Sequence, residues 1–177
     1  MKRKLLAFKK NFVGMALMSG PDKKKLDKMI WQLREGWGES TRIEAARDLG
    51  WIGTEAAEEA VPELIKALLE DKSENVRVEA AISLQWIGSK ASKAVPALVK
   101  ALLNDQSEKV RERAAIVLSG MGKSVLKAVP DLYKASNEDK SVQVREAAMN
   151  TLEKVAPICG FPTIEEMVKA NNASKKK

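Results

Sequence analysis

"DKSENVRVEAAISLQWIGSKASKAVPALVKALL", residues 71–103, is one copy of a pattern whose reading decides the architecture. In its first half Val76, Ala80, Ala81, Leu84 and Ile87 fall on one face at about 100° per residue. In the second half of the copy before it, Leu64, Ile65, Leu68 and Leu69 do the same. Neither stripe alternates as a half-buried strand would, so each copy predicts two helices.

Shifting the chain by 34 residues on itself superposes Pro62, Pro96 and Pro130, each preceded by Ala-Val. The same shift pairs Asp71, Asp105 and Asp139; Val76, Val110 and Val144; Arg77, Arg111 and Arg145; Leu84, Leu118 and Leu152; and Gly88 with Gly122. One copy earlier the spacing is 35, matching Arg42, Ala45, Ala46, Leu49, Trp51, Ile52 and Gly53 to Arg77, Ala80, Ala81, Leu84, Trp86, Ile87 and Gly88. A period of this length is the mark of a solenoid.

The joints agree. Ser73, Ser107 and Ser141 stand where a side-chain oxygen can accept the first unpaired N–H of a helix. In the leading copy Thr41 to Glu44 reads as a capping box instead. Gly53, Gly88 and Gly122 end the first helix with left-handed geometry, and the prolines fall early in the second.

With the recurring D-x-x-x-x-V-R-x-x-A-A pattern, residues 22 to about 157 resemble HEAT repeats of the PBS-lyase type, in a form with a longer Gly-to-Pro connection. The resemblance implies an all-α, right-handed α-solenoid of about four to five helical hairpins, first helices convex and second helices concave. It also implies an Asp–Arg ladder between units, carried here onto Asp71, Arg77, Asp105, Arg111, Asp139 and Arg145. A physical reason stands beside it: Arg77 follows Val76 at the edge of the buried stripe, where a guanidinium needs a carboxylate. The leading copy has Gly36 in place of Asp, which leaves Arg42 open to another partner.

Such a stack needs closing at both ends. Leu5, Phe8, Phe12 and Met15 predict a front capping helix; Ile158, Phe161, Ile164, Met167 and Val168 predict one at the back. The domain reading is therefore a basic amphipathic segment over 1–20, a repeat domain over 21–170 and a disordered tail over 171–177.

Charge is segregated. Residues 1–28 hold nine Lys/Arg against Asp22 and Asp27, and residues 169–177 add four lysines, so a chain of net +7 has a body of −4 between basic ends. Those ends admit a solvated face, attraction to RNA or a ribosome, or contact with anionic membrane. Lys9, Lys10 and Asn11 cut the apolar region after the basic start in two, leaving about seven residues from Phe12 to Met18, at the bottom of the range for a leader. The reading is a cytoplasmic chain, with secreted or periplasmic as the alternative.

Four tryptophans lie in the first half. Trp86 and its counterpart Trp51 point about 140° from the centre of the buried stripe, where later copies have Gly120 and Lys154. Two readings stand: rings covering one another or a loop, or a two-ring anchor for a partner. Trp31 and Trp37 also stand where later copies are polar. Trp31, Lys66, Lys100 and Lys134 form a column on the second helices, read either as a track for phosphates or as a solvated face with Glu63 and Asp131 three residues before Lys66 and Lys134.

There is no histidine and one cysteine, Cys159, so histidine-based triads, His-Glu iron sites and an intramolecular disulfide are excluded. No catalytic, metal or cofactor residue is assigned. The expectation is a non-catalytic scaffold docking a protein partner. The alternatives are an RNA- or ribosome-associated module and, by resemblance alone, a bilin-lyase-like or glycosylase-like activity.

Overall fold

The structure, a computed structural model, describes residues 23–52 and 56–174. The front capping helix and Gly53 lie outside them. The helices run α1 (Lys23–Glu35), α2 (Glu39–Trp51), α3 (Ala57–Glu70), α4 (Glu74–Ile87), α5 (Val95–Asn104), α6 (Glu108–Leu118), α7 (Val129–Glu138), α8 (Val142–Ile158) and α9 (Ile164–Ser174). No strand occurs among the described residues.

The helices form two rows. α2, α4, α6 and α8 stack in the first, and α1, α3, α5, α7 and α9 in the second, each first-row helix packing most closely on the second-row helix that precedes it. One unbroken apolar seam from Leu26 to Met167 lies between the rows. Its first-row side repeats a fully buried leucine, Leu49, Leu84, Leu118 and Leu152, over alanine pairs such as Ala80-Ala81 and Ala114-Ala115. Small residues there let helices approach closely, while truncating one such leucine costs about 2–5 kcal/mol.

The Ser73, Ser107 and Ser141 hydroxyls accept from the N–H groups of Val76, Val110 and Val144. Gly88 and Gly122 have φ of 67° and 58°. Each then opens a 3-10 segment, Gly88–Ala94 or Gly122–Ala128, so Pro96 and Pro130 fall in the first turn of α5 and α7. In α3 the helix begins earlier and Pro62 lies inside it.

The capping box is a correction. α2 starts at Glu39 after Gly38, placing Thr41 inside the helix. Glu39 accepts instead from Ser73 and Asn75 of the next hairpin, and hydrogen bonds from Asn75 and Ser73 hold its carboxyl below the ordinary range. A contact between units sets this helix start.

At the back, Met167 is fully buried and Phe161, Ile164 and Val168 pack on the core, whereas Ile158 is exposed. α9 continues through Ser174, past the boundary expected for a disordered tail, and Asn171 donates to the Leu126 carbonyl.

Candidate docking surface

The Arg–Asp ladder is built, and its connectivity differs from the expectation at both ends. The Arg77 Nε and NH2 groups donate to Asp105 at 2.8 and 2.9 Å, and Arg111 reaches Asp139 at 2.9 and 3.1 Å. In each rung the third donor, NH1, takes a carbonyl six residues back, that of Asp71 or Asp105. Arg42 is not open to another partner: it bonds Asp71 at 2.7 and 3.0 Å and the Gly36 carbonyl at 3.0 Å. The rung runs forward, from a first-row helix to the aspartate ending the next second-row helix, so a missing aspartate at position 36 removes nothing from Arg42.

The rung without a carboxylate is at the other end. Arg145 donates to the Asp139 carbonyl, and no carboxylate partners it among the described residues. Counting forward by the 28 residues that separate Arg77 from Asp105 and Arg111 from Asp139 reaches Ala173.

Each ladder aspartate also accepts from the serine N–H two residues on, at 2.8 Å. Burial pushes the Asp139 carboxyl up, but hydrogen bonds from Arg111 and the Ser141 N–H outweigh it and hold the group below its ordinary 3.8. The rungs are thus buried, charge-paired and fully bonded, which suits them to fixing the register of the hairpins.

The structure brings Trp51 and Trp86 together. Their ring centroids lie 4.9 Å apart with the planes tilted by 50°, and the residues remain 65% and 45% exposed. Outward direction and mutual cover therefore coexist. The cause lies one residue before Trp51: a Cβ at Gly50 would come within 2.8 Å of the Ser83 Cβ, so only glycine lets α2 and α4 close to this distance. Ser83 faces that contact with its hydroxyl buried and unbonded.

Trp31 and Trp37 stay apart from this pair. Trp31 is 56% exposed on α1, and Trp37, 97% exposed, lies in the loop before α2, at the end opposite Trp51 and about 20 Å away by helix rise. The four indoles do not form one patch.

Lys66, Lys100 and Lys134 are exposed on α3, α5 and α7, one per hairpin. They line open recesses of about 410, 340 and 460 Å³ beside the ladder aspartates. The expected Glu63–Lys66 pair is replaced, because Glu63 is held in a two-bond fork by Arg34 of α1. The ladder carboxylates in these walls are paired with arginines that line the same recesses, so acids and bases stand nearly in balance there and do not make a phosphate track.

One group of residues escaped the sequence reading. Lys90 and Lys93 on the first 3-10 segment, and Lys123 and Lys127 on the second, are exposed on two segments in mutual contact. The signal was legible in the repeat: Lys93 and Lys127 share a register, and both connections lack acids, unlike the Glu58-Glu59 start of α3. The basic residues 1–22 and 175–177 lie outside the described residues, while Lys23 is engaged by Asp27 and Glu59.

Among the described residues no acidic, cysteine or histidine cluster could hold a metal, and no helix is long and apolar enough to cross a membrane. Cys159 is half-buried, and burial pushes its thiol up, away from the thiolate a nucleophile needs.

Hairpins stacked in two rows and tied by a repeated ion-pair ladder define an α-solenoid. The family profile described as HEAT repeats matches residues 26–119 and 95–173, and the chain belongs to the HEAT-repeat family. Among solved structures it is similar to a chain in the complex of CpcE and CpcF of phycocyanin lyase from Nostoc sp. PCC7120, at 22% identity and a TM-score of 0.63, covering 86% of this chain and 91% of that one. At that identity the likeness is one of fold. No curated protein matches the chain.

Proposed function

We propose that the chain is a non-catalytic scaffold that docks a partner protein on the edge carrying Trp51 and Trp86. The observation that carries this reading is the indole pair: two large rings, in contact, on helices of adjacent hairpins, held close by Gly50 and left half open to water. Each exposes on the order of 100 Å² of apolar surface, which at about 25 cal/mol/Å² is worth about 2–3 kcal/mol when a partner covers it. Rings fixed on helix ends lose little freedom on binding, so most of that energy reaches the affinity. The similar chain is part of a complex of two proteins, CpcE and CpcF, which supports docking as the mode of action. The lyase named there enters only through fold likeness, and no residue constellation described above favours it.

The test compares wild type with Trp51→Ala/Trp86→Ala, shown folded by circular dichroism, as immobilised bait for nuclease-treated native extract at about 50 and 200 mM salt. The scaffold reading expects partners held by wild type and lost by the variant at either salt, because the indoles contribute apolar burial that salt barely changes. Retention that collapses between the two salts and is the same in wild type and variant marks phosphate-driven binding instead. Equal retention by the double variant refutes the anchor.

A further inference from the structure

The links between the two helices of each hairpin change charge along the stack. The first ends in Glu58 and Glu59 at the start of α3, both exposed. The next two are the touching 3-10 segments with Lys90, Lys93, Lys123 and Lys127 and no acid. Lys154 of α8, at the repeat position of Trp86, is exposed too. The acids nearest in sequence are the half-buried Asp131 and the exposed Glu153. Lys93, Lys123, Lys127 and Lys154 make no ion pair or side-chain hydrogen bond among the described residues. Lys154 shares a recess with Glu112 and Glu146, whereas Lys93, Lys123 and Lys127 gather on acid-free segments, where like charges repel one another and an anionic partner relieves that repulsion.

This basic strip is continuous with the indole pair. Trp86 precedes Gly88 by two residues, and Gly120 at the equivalent place in the next hairpin has no side chain, where a Cβ would lie 3.9 Å from the Gln85 Cγ. From α2 towards α8 the edge therefore presents an indole, an indole, a glycine and a lysine, with the lysine-bearing segments alongside. Exposed Asp48 on α2 and Glu58 at the start of α3, with Glu59 held by Lys23, are among the acids of the unit that carries Trp51.

We infer that this edge binds a short acidic segment of a partner protein, whose bulky apolar side chain covers the two indoles and whose carboxylates lie over the Lys93, Lys123, Lys127 and Lys154 strip. The inference rests on the docking reading of the Trp pair and adds the chemistry and direction of the ligand. Four first-row helices at about 8–10 Å spacing make an edge of about 25–30 Å, the reach of about eight to nine extended residues. A nucleic acid fits the same lysines less well. The indoles are tilted against each other, so they offer no parallel faces for successive bases, and the acids of the unit that carries Trp51 oppose a polyanion.

The full chain is titrated by fluorescence anisotropy with three labelled probes. The first is a peptide of about twelve residues with a Phe-Leu pair followed by alternating Glu and Ser; the second has its Glu changed to Gln; the third is an oligothymidylate of matching length. The expected result is that the acidic peptide binds at least ten-fold tighter than either of the others. It should lose at least ten-fold with Lys93→Glu/Lys123→Glu/Lys127→Glu and with Trp51→Ala/Trp86→Ala. Equal affinity for the Gln peptide, indifference to the lysine reversals, tighter binding of the oligonucleotide, or no binding of any probe overturns the inference. If the lysine reversals change nothing while the Trp variant still loses its extract partners, the ligand assignment fails and the docking reading stands. If the Trp variant keeps those partners, the docking reading itself fails.

Discussion

Asp105→Ala removes one rung from the middle of the ladder. Its carboxylate takes two bonds from Arg77 at 2.8 and 2.9 Å and one from the Ser107 N–H at 2.8 Å. Arg77 is buried, so the substitution strands a charged guanidinium with two unmade bonds beside apolar neighbours. Breaking such a pair from one side costs about 3–5 kcal/mol. For a chain of this size each kcal/mol moves Tm by about 2–4 °C, so the drop is on the order of 6–20 °C. Removing both partners, as Arg77→Met/Asp105→Leu, should recover most of the loss, because two apolar side chains leave no orphan charge. Arg145→Ala is the internal control: with no carboxylate partner among the described residues, it should cost under about 1 kcal/mol. Scanning calorimetry and urea unfolding read all three variants. A loss at Asp105→Ala below about 1 kcal/mol, or no recovery in the double variant, refutes the view that the rung is a desolvated, mutually dependent pair.

Two further expectations follow from the same geometry. Because the Asp139 carboxyl is held below its ordinary 3.8, its contribution is complete above that value and drains away as pH falls through the lower folded value; stability measured from pH 5 down to about 2 should fall less steeply in Asp139→Asn than in wild type, and parallel curves would contradict the assignment. Gly50→Ala forces a methyl to within 2.8 Å of Ser83 and pushes α2 from α4, so the near-ultraviolet exciton signal of the Trp51–Trp86 pair should weaken; the stability change should be a net loss of about 0–2 kcal/mol, overpacking of about 1–3 offset by about 1 of helix propensity.

That Arg77, Arg111 and the repeated aspartates form a ladder was legible from the repeat, because a guanidinium at the rim of a buried stripe has few ways to be satisfied; which aspartate each arginine takes was not. The fate of Arg42 was not, since Gly36 reads as a missing partner only if the rung runs backward, and direction is a property of the stack. The capping box at Thr41 failed for a related reason: a local signal yielded to Glu39 bonding the next hairpin.

Helix periodicity, hairpin count and the outward aim of Trp51 and Trp86 are written in the order of residues along the chain, because which side of a helix is dry depends on spacing alone. That the two indoles meet, that Arg34 takes Glu63 away from Lys66, and that lysines of two separate connections merge into one strip are decided by how neighbouring units approach. Those distances come from packing between residues some 30 positions apart, where a single glycine opposite a serine sets the gap.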